Sequence, residues 1–154
     1  ITALLRQNRV YILDVQKLRV NHPTLLHRIK RLQQEFASDW VLIESLGVGK
    51  PLSQQLLADG MTNVVAIKHQ TNKADRLLAE SPAIEQGRVY LPKEAPWEAD
   101  FLDEVTRFPK SKHDDQVDAL SQLLYWQRKR TVQMTPLSSI ITVIEPRKDV
   151  LGWG

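Results

Sequence analysis

Short β-branched runs alternate with amphipathic stretches along this chain, and that alternation limits the folds open to it. Arg9-Val-Tyr-Ile-Leu-Asp-Val15 reads as a strand. Pro23 then opens a helix in which Leu25, Ile29, Leu32 and Phe36 share one face. Val41–Glu44, Val64–Ile67 and Arg88–Leu91 read as further strands. Between them lie helices over Leu52–Asp59, stopped by Gly60, and from Lys73 to Glu80, capped by Asn72 and broken at Ser81-Pro82. Trp97–Arg107 and about Asp114–Arg130 complete the helices, the last with Val117, Leu120, Leu123 and Leu124 as its core face. Strands alternating with helices predict an α/β fold, a central sheet with helices on its faces. After Arg130 the tail, 131–154, is loosely patterned apart from the apolar run Ile140–Ile144, expected to add an edge strand or dock on a neighbour.

At 154 residues the chain has room for one domain with a sizeable core. It has no cysteine, which excludes disulfides and cysteine-bound zinc. No apolar stretch reaches the length of a membrane span. The net charge is only +3, but basic residues gather in 1–36 and acids in 98–104. This fits either two solvated faces or a phosphate-binding surface.

The densest chemical signal is His113-Asp-Asp-Gln-Val-Asp-Ala119, three carboxylates within five residues at a helix start. Asp114, Asp115 and Asp118 project from roughly one face. Acids there can simply cap the helix and favour its dipole. Held together, they also suit a hard cation such as Mg²⁺ or Mn²⁺. Glu44, ending the apolar run Val41-Leu-Ile, is the natural partner, because a metal site needs carboxylates converging from separate elements. Two such ions can clamp a phosphodiester for attack by water. His113 is a candidate to orient water or touch the scissile phosphate. Lys50 is available to a phosphate, and Lys73 and Arg76 form a candidate backbone-binding patch. Gly47-Val-Gly-Lys50 is not an ATP loop: Glu44 stands where its first Gly should be, and Pro51 where its Ser or Thr should be.

Taken in order, several stretches resemble the C-terminal nuclease domain of phage terminase large subunits, the DNA-packaging motors. They are Tyr11-Ile-Leu-Asp-Val15, Val41-Leu-Ile-Glu44 with Gly47 and Gly49, Lys73-Ala-Asp-Arg76, Ile84-Glu-Gln-Gly-Arg-Val89, Phe101-Leu-Asp-Glu104 with Phe108-Pro109, and His113–Ala119. The likeness spans about residues 9–130. It implies a ribonuclease-H-like mixed sheet and Mg²⁺- or Mn²⁺-dependent cutting of double-stranded DNA concatemers in the cytoplasm of a bacterial host, by a phage or prophage protein. The implied partners are a packaging ATPase domain, a small terminase subunit and a portal. By resemblance Glu44 matches the second catalytic acid, Asp114 and Asp115 the third, and Lys73 and Arg76 a basic motif. The family's first acid lies on a strand before the one matching Tyr11–Val15. This sequence starts too late to hold that strand, so the expectation is an N-terminally truncated nuclease domain over 1–130, with Asp14 the alternative first acid. The rival readings are another ribonuclease-H-like nuclease of resolvase or integrase type, and a non-catalytic DNA-binding or assembly module.

Overall fold

The computed structural model describes residues 1–69, 71–111, 113–131 and 138–146. Most of the tail after Thr131 lies outside the described residues. A six-stranded mixed sheet runs through the centre. Its strands are β1 (Thr2–Arg6), β2 (Arg9–Asp14), β3 (Trp40–Glu44), β4 (Val64–Ile67), β5 (Val89–Tyr90) and β6 (Ser138–Ile144), in the spatial order β4-β3-β6-β1-β2-β5. The helices are α1 (His22–Glu35), α2 (Gly49–Ala58), α3 (Lys73–Glu85), α4 (Glu98–Arg107) and α5 (Asp115–Thr131).

Most elements follow the sequence pattern. Asn21 caps α1 by accepting the Thr24 N–H, and Asn72 caps α3 by accepting from Asp75. Gly60, at φ +91°, stands just past the end of α2, in the left-handed conformation that favours glycine there. Four departures have physical reasons. A strand does precede Arg9: Thr2-Ala-Leu-Leu-Arg6 has no β-branched signal beyond Thr2, but Gln7 and Asn8, both at positive φ, fold it back as a hairpin on β2. No residue of that strand carries a carboxylate. Helix α3 continues past Pro82, where the ring leaves the Leu78 carbonyl without its amide donor, and Ser81 Oγ donates to that carbonyl instead, at 3.1 Å. Helix α2 begins at Gly49 and so takes in part of the expected loop. Finally, the run Ile140–Ile144 does not form an edge. It lies in the sheet interior as part of β6, parallel to β3 and antiparallel to β1. A strand apolar on both faces buries best where both faces are covered.

The alternation of side chains decides which helices each strand meets. Along β3, Val41 and Ile43 pack with Ile29 of α1 and Leu52 and Leu56 of α2. Leu42 points the other way, into the larger core with Ala83 of α3, Phe101 of α4 and Leu120, Leu123 and Leu124 of α5. Ile12 of β2 and Ile141 and Val143 of β6 join this larger core. Trp40 and Trp126 pack against it as a pair with ring centroids 6.1 Å apart.

Candidate nuclease site

Strand direction brings the chemistry to one edge. Because β1 is antiparallel to both β2 and β6, the strands β2, β6, β3 and β4 all run the same way. Their C-terminal ends therefore share one edge, and they end in or lead to Asp14, Glu145, Glu44 and His69. Open α/β sheets bind ligands at such an edge. Parity then picks the face. Glu44 is two residues from Leu42 and Glu145 two from Val143, and both apolar residues face the α3–α4–α5 layer. On β2 a bulge between Ile12 and Asp14 breaks the alternation, so Asp14 does not follow Ile12 onto that face.

Helix α5 begins at that edge. A cleft there is lined by Glu44, Glu145, Asp114, Asp115, Lys73 and His113, together with Arg19, His69 and Arg76. A second cleft, toward α1, shares Asp115 and Glu145 with the first and adds Asp14. Glu44 and the Asp114–Asp115 pair, distant in sequence, thus open into one space. Lys50 does not line it. It is exposed on the first turn of α2.

Gly49 sets the spacing between β3 and α2. A Cβ built there would lie 1.8 Å from the Glu44 carbonyl oxygen. Only glycine lets the helix start come so close to the strand end that carries Glu44.

Asp118, at the foot of the acidic turn, faces inward. Its carboxylate is 2% exposed, and Arg76, 5% exposed, donates from Nη2 to Oδ1 at 2.8 Å and from Nε to Ser121 at 3.0 Å. Lys73 closes on Asp118 Oδ2 and reaches Asp114 at 3.0 Å. Arg76, read from the sequence as a phosphate contact, is therefore a buried strut between α3 and α5. Burial lifts the Asp118 carboxyl above its ordinary value even against these cations. Burial also opposes the Lys73 charge, but its hydrogen bonds to Asp118 and Asp114 outweigh this and hold its pKa above the ordinary lysine range. His69 titrates below its ordinary value, through burial and the nearby Arg76 charge, and so stays neutral at pH 7.

Glu145 has the most perturbed acid group here. Burial, then its hydrogen bond to Glu44 and the Glu44 charge, push its carboxyl up to about 9. Glu145, Arg19 and His69 were not candidates from sequence. For Glu145 a signal existed, since an apolar run ending in an acid is the pattern that singled out Val41–Glu44. Among the described residues, no group of three or more His, Asp and Glu stands ready-made to hold a metal ion.

The family model for the terminase RNase H-like domain matches residues 5–125. This chain belongs to that family. The mixed sheet with helices on both faces is consistent with an RNase H-like fold, and membership assigns the terminase domain a nuclease-type architecture. No curated protein and no solved structure matches the chain. No helix among the described residues of the terminase domain is long and apolar enough to cross a membrane.

Proposed function

We propose that this terminase domain is a metal-dependent endonuclease that cuts double-stranded DNA concatemers during viral packaging, in the cytoplasm of a bacterial host. The observation that carries the reading is the convergence of Glu44 from β3 with Asp114 and Asp115 from the start of α5 in one cleft. Hard carboxylate oxygens of this kind suit Mg²⁺ or Mn²⁺, and Glu44, Asp114 and Asp115 would hold the ion. A divalent cation there supplies Lewis acidity, activating water toward phosphorus and offsetting charge on the phosphodiester.

The remaining roles belong to the chain itself. Arg19 and His113 line the same cleft and can meet phosphate oxygens, while neutral His69 can orient water. Lys73 holds Asp114 and Asp118 together in the absence of an ion. Its half-exposed ammonium could turn from Asp114 to the DNA backbone were Asp114 to hold an ion. Asp118 is assigned to the Arg76 strut rather than to the ion. In the assembled motor this domain would work with a packaging ATPase domain, a small terminase subunit and a portal.

The test is cleavage of linear duplex DNA by the full chain with Mn²⁺, with Mg²⁺ and with EDTA. Metal-dependent nicking that disappears in Glu44→Gln and in Asp115→Asn supports the nuclease. Branched and hybrid substrates cut in preference to linear duplex would point to a resolvase-like enzyme instead. One observation favours a second reading, a non-catalytic module: Lys73 and Arg76 already neutralise part of the acidic cluster. A wild-type chain that binds no Mn²⁺ would establish that reading.

A further inference from the structure

The sheet places a second acid-ended strand beside the first. Parallel β3 and β6 set Ile43 opposite Ile144, so Glu44 and Glu145 follow as neighbours at the same edge. Adjacent strands lie about 4.8 Å apart, and oxygen ligands sit about 2.0–2.1 Å from Mg²⁺, so two such carboxyls can reach one ion. Both also line the same cleft.

A separate observation concerns Gln122, whose side chain reaches Glu145. Gln122 of α5 is fully buried and donates from Nε2 to Glu145 Oε2. Its Oε1 has no hydrogen-bond partner among the described residues. A buried carbonyl oxygen without a donor is costly. Because the Gln122 amide is anchored on Glu145, a water held by an ion on Glu145 could supply one.

We propose that Glu145 is a further cation ligand of the terminase nuclease site, sharing a divalent ion with Glu44 and delivered by strand β6. The proposal rests on the nuclease reading above. It makes the seating of β6 part of the site. Asp39 secures that seating by accepting the Ile140 N–H at 2.7 Å, and Thr142 does so by bonding Ser38 and Thr2 at 2.7 and 3.1 Å.

The test is Mn²⁺ titration calorimetry on the full chain, with thermal melts with and without Mn²⁺. Glu145→Gln and Glu44→Gln should each weaken Mn²⁺ at least about tenfold, one ligand's worth of coordination in a site of few protein ligands. Glu85→Gln, an exposed acid at the end of α3, should bind as wild type. Without Mn²⁺, Glu145→Gln should melt close to wild type, since the amide has nearly the shape of the protonated carboxyl and can still donate to Glu44. Glu145→Lys gives a second variant. Its ammonium would pair with Glu44, so it should fold and bind no Mn²⁺. Wild-type affinity in Glu145→Gln alongside loss in Glu44→Gln would remove Glu145 from the site and leave the nuclease standing. A wild-type chain that neither binds Mn²⁺ nor cuts DNA would remove both. Unfolding of both Glu145 variants would also overturn the proposal, because it would assign Glu145 to the core instead.

Discussion

Replacing Gly49 with alanine tests how closely the fold and the site are tied. Two effects oppose each other. Alanine is favoured over glycine within a helix by about 0.8–1.0 kcal/mol, and Gly49 is the first helical residue of α2, so at most that gain is available. Against it, the new Cβ would stand 1.8 Å from Glu44 O and 3.1 Å from Glu44 C, where real Cβ contacts essentially never fall under 3.0 Å. Both obstacles are backbone, so either the start of α2 or the end of β3 must retreat by more than an ångström. Forced overpacking of this kind costs about 1–3 kcal/mol or more. The clash wins, and the expected net loss is about 1–2 kcal/mol, or a melting temperature lower by roughly 2–8 °C for a chain of this size.

Gly47→Ala is the control. Gly47 has φ +53° and open space around its missing Cβ, so alanine there costs about 1–2 kcal/mol of left-handed backbone energy but pushes on nothing. Urea titrations should show both variants destabilised. Mn²⁺ calorimetry should show a loss of affinity only for Gly49→Ala, because only there does Glu44 move. A Gly49→Ala protein as stable as wild type, with unchanged Mn²⁺ affinity, would refute the claim that the close approach of helix and strand positions the acid.

Other expectations follow from the same contacts. Arg76→Met removes the guanidinium from a 2%-exposed carboxylate and should cost about 3–5 kcal/mol in urea unfolding. Adding Asp118→Asn should recover part of that loss, and strictly additive losses would argue against a strut. Lys73→Gln should tighten Mn²⁺ several-fold by releasing Asp114 while weakening duplex binding, and unchanged affinity for both would dismiss its proposed double role. Glu104 tests pH dependence. Burial opposes its charge, but the Gln116 side chain, Lys17 and the Gln116 N–H outweigh burial and hold its carboxyl below the ordinary value of 4.5. The unfolded state therefore binds the proton more readily. The stabilisation is complete above pH 4.5 and is lost as pH falls through the lower folded value. Glu104→Gln should flatten that acid limb of the stability curve, and an unchanged limb would place the effect elsewhere.

Local pattern alone was enough for the helices α1, α4 and α5 and for strands β2, β3 and β4, because burying one face leaves a periodic trace. It was also enough to single out Glu44 and the Asp114–Asp115 pair, since an acid at the end of an apolar strand and acids at a helix start are local facts. What it did not contain was neighbourhood. Thr2–Arg6 became a strand only by pairing with β2 and β6, and Ser138–Ile144 became an interior strand only because β1 and β3 each offered it an edge. That insertion brought Glu145 beside Glu44 across some hundred residues of chain. Arg76 and Asp118 read as a phosphate contact and a cation ligand in one dimension and are a buried pair in three, because whether two opposite charges meet a ligand or each other depends on how α3 packs on α5. Periodicity records which side of an element is covered. Which element does the covering, and which acids come to share an edge, is settled only when the strands choose their partners.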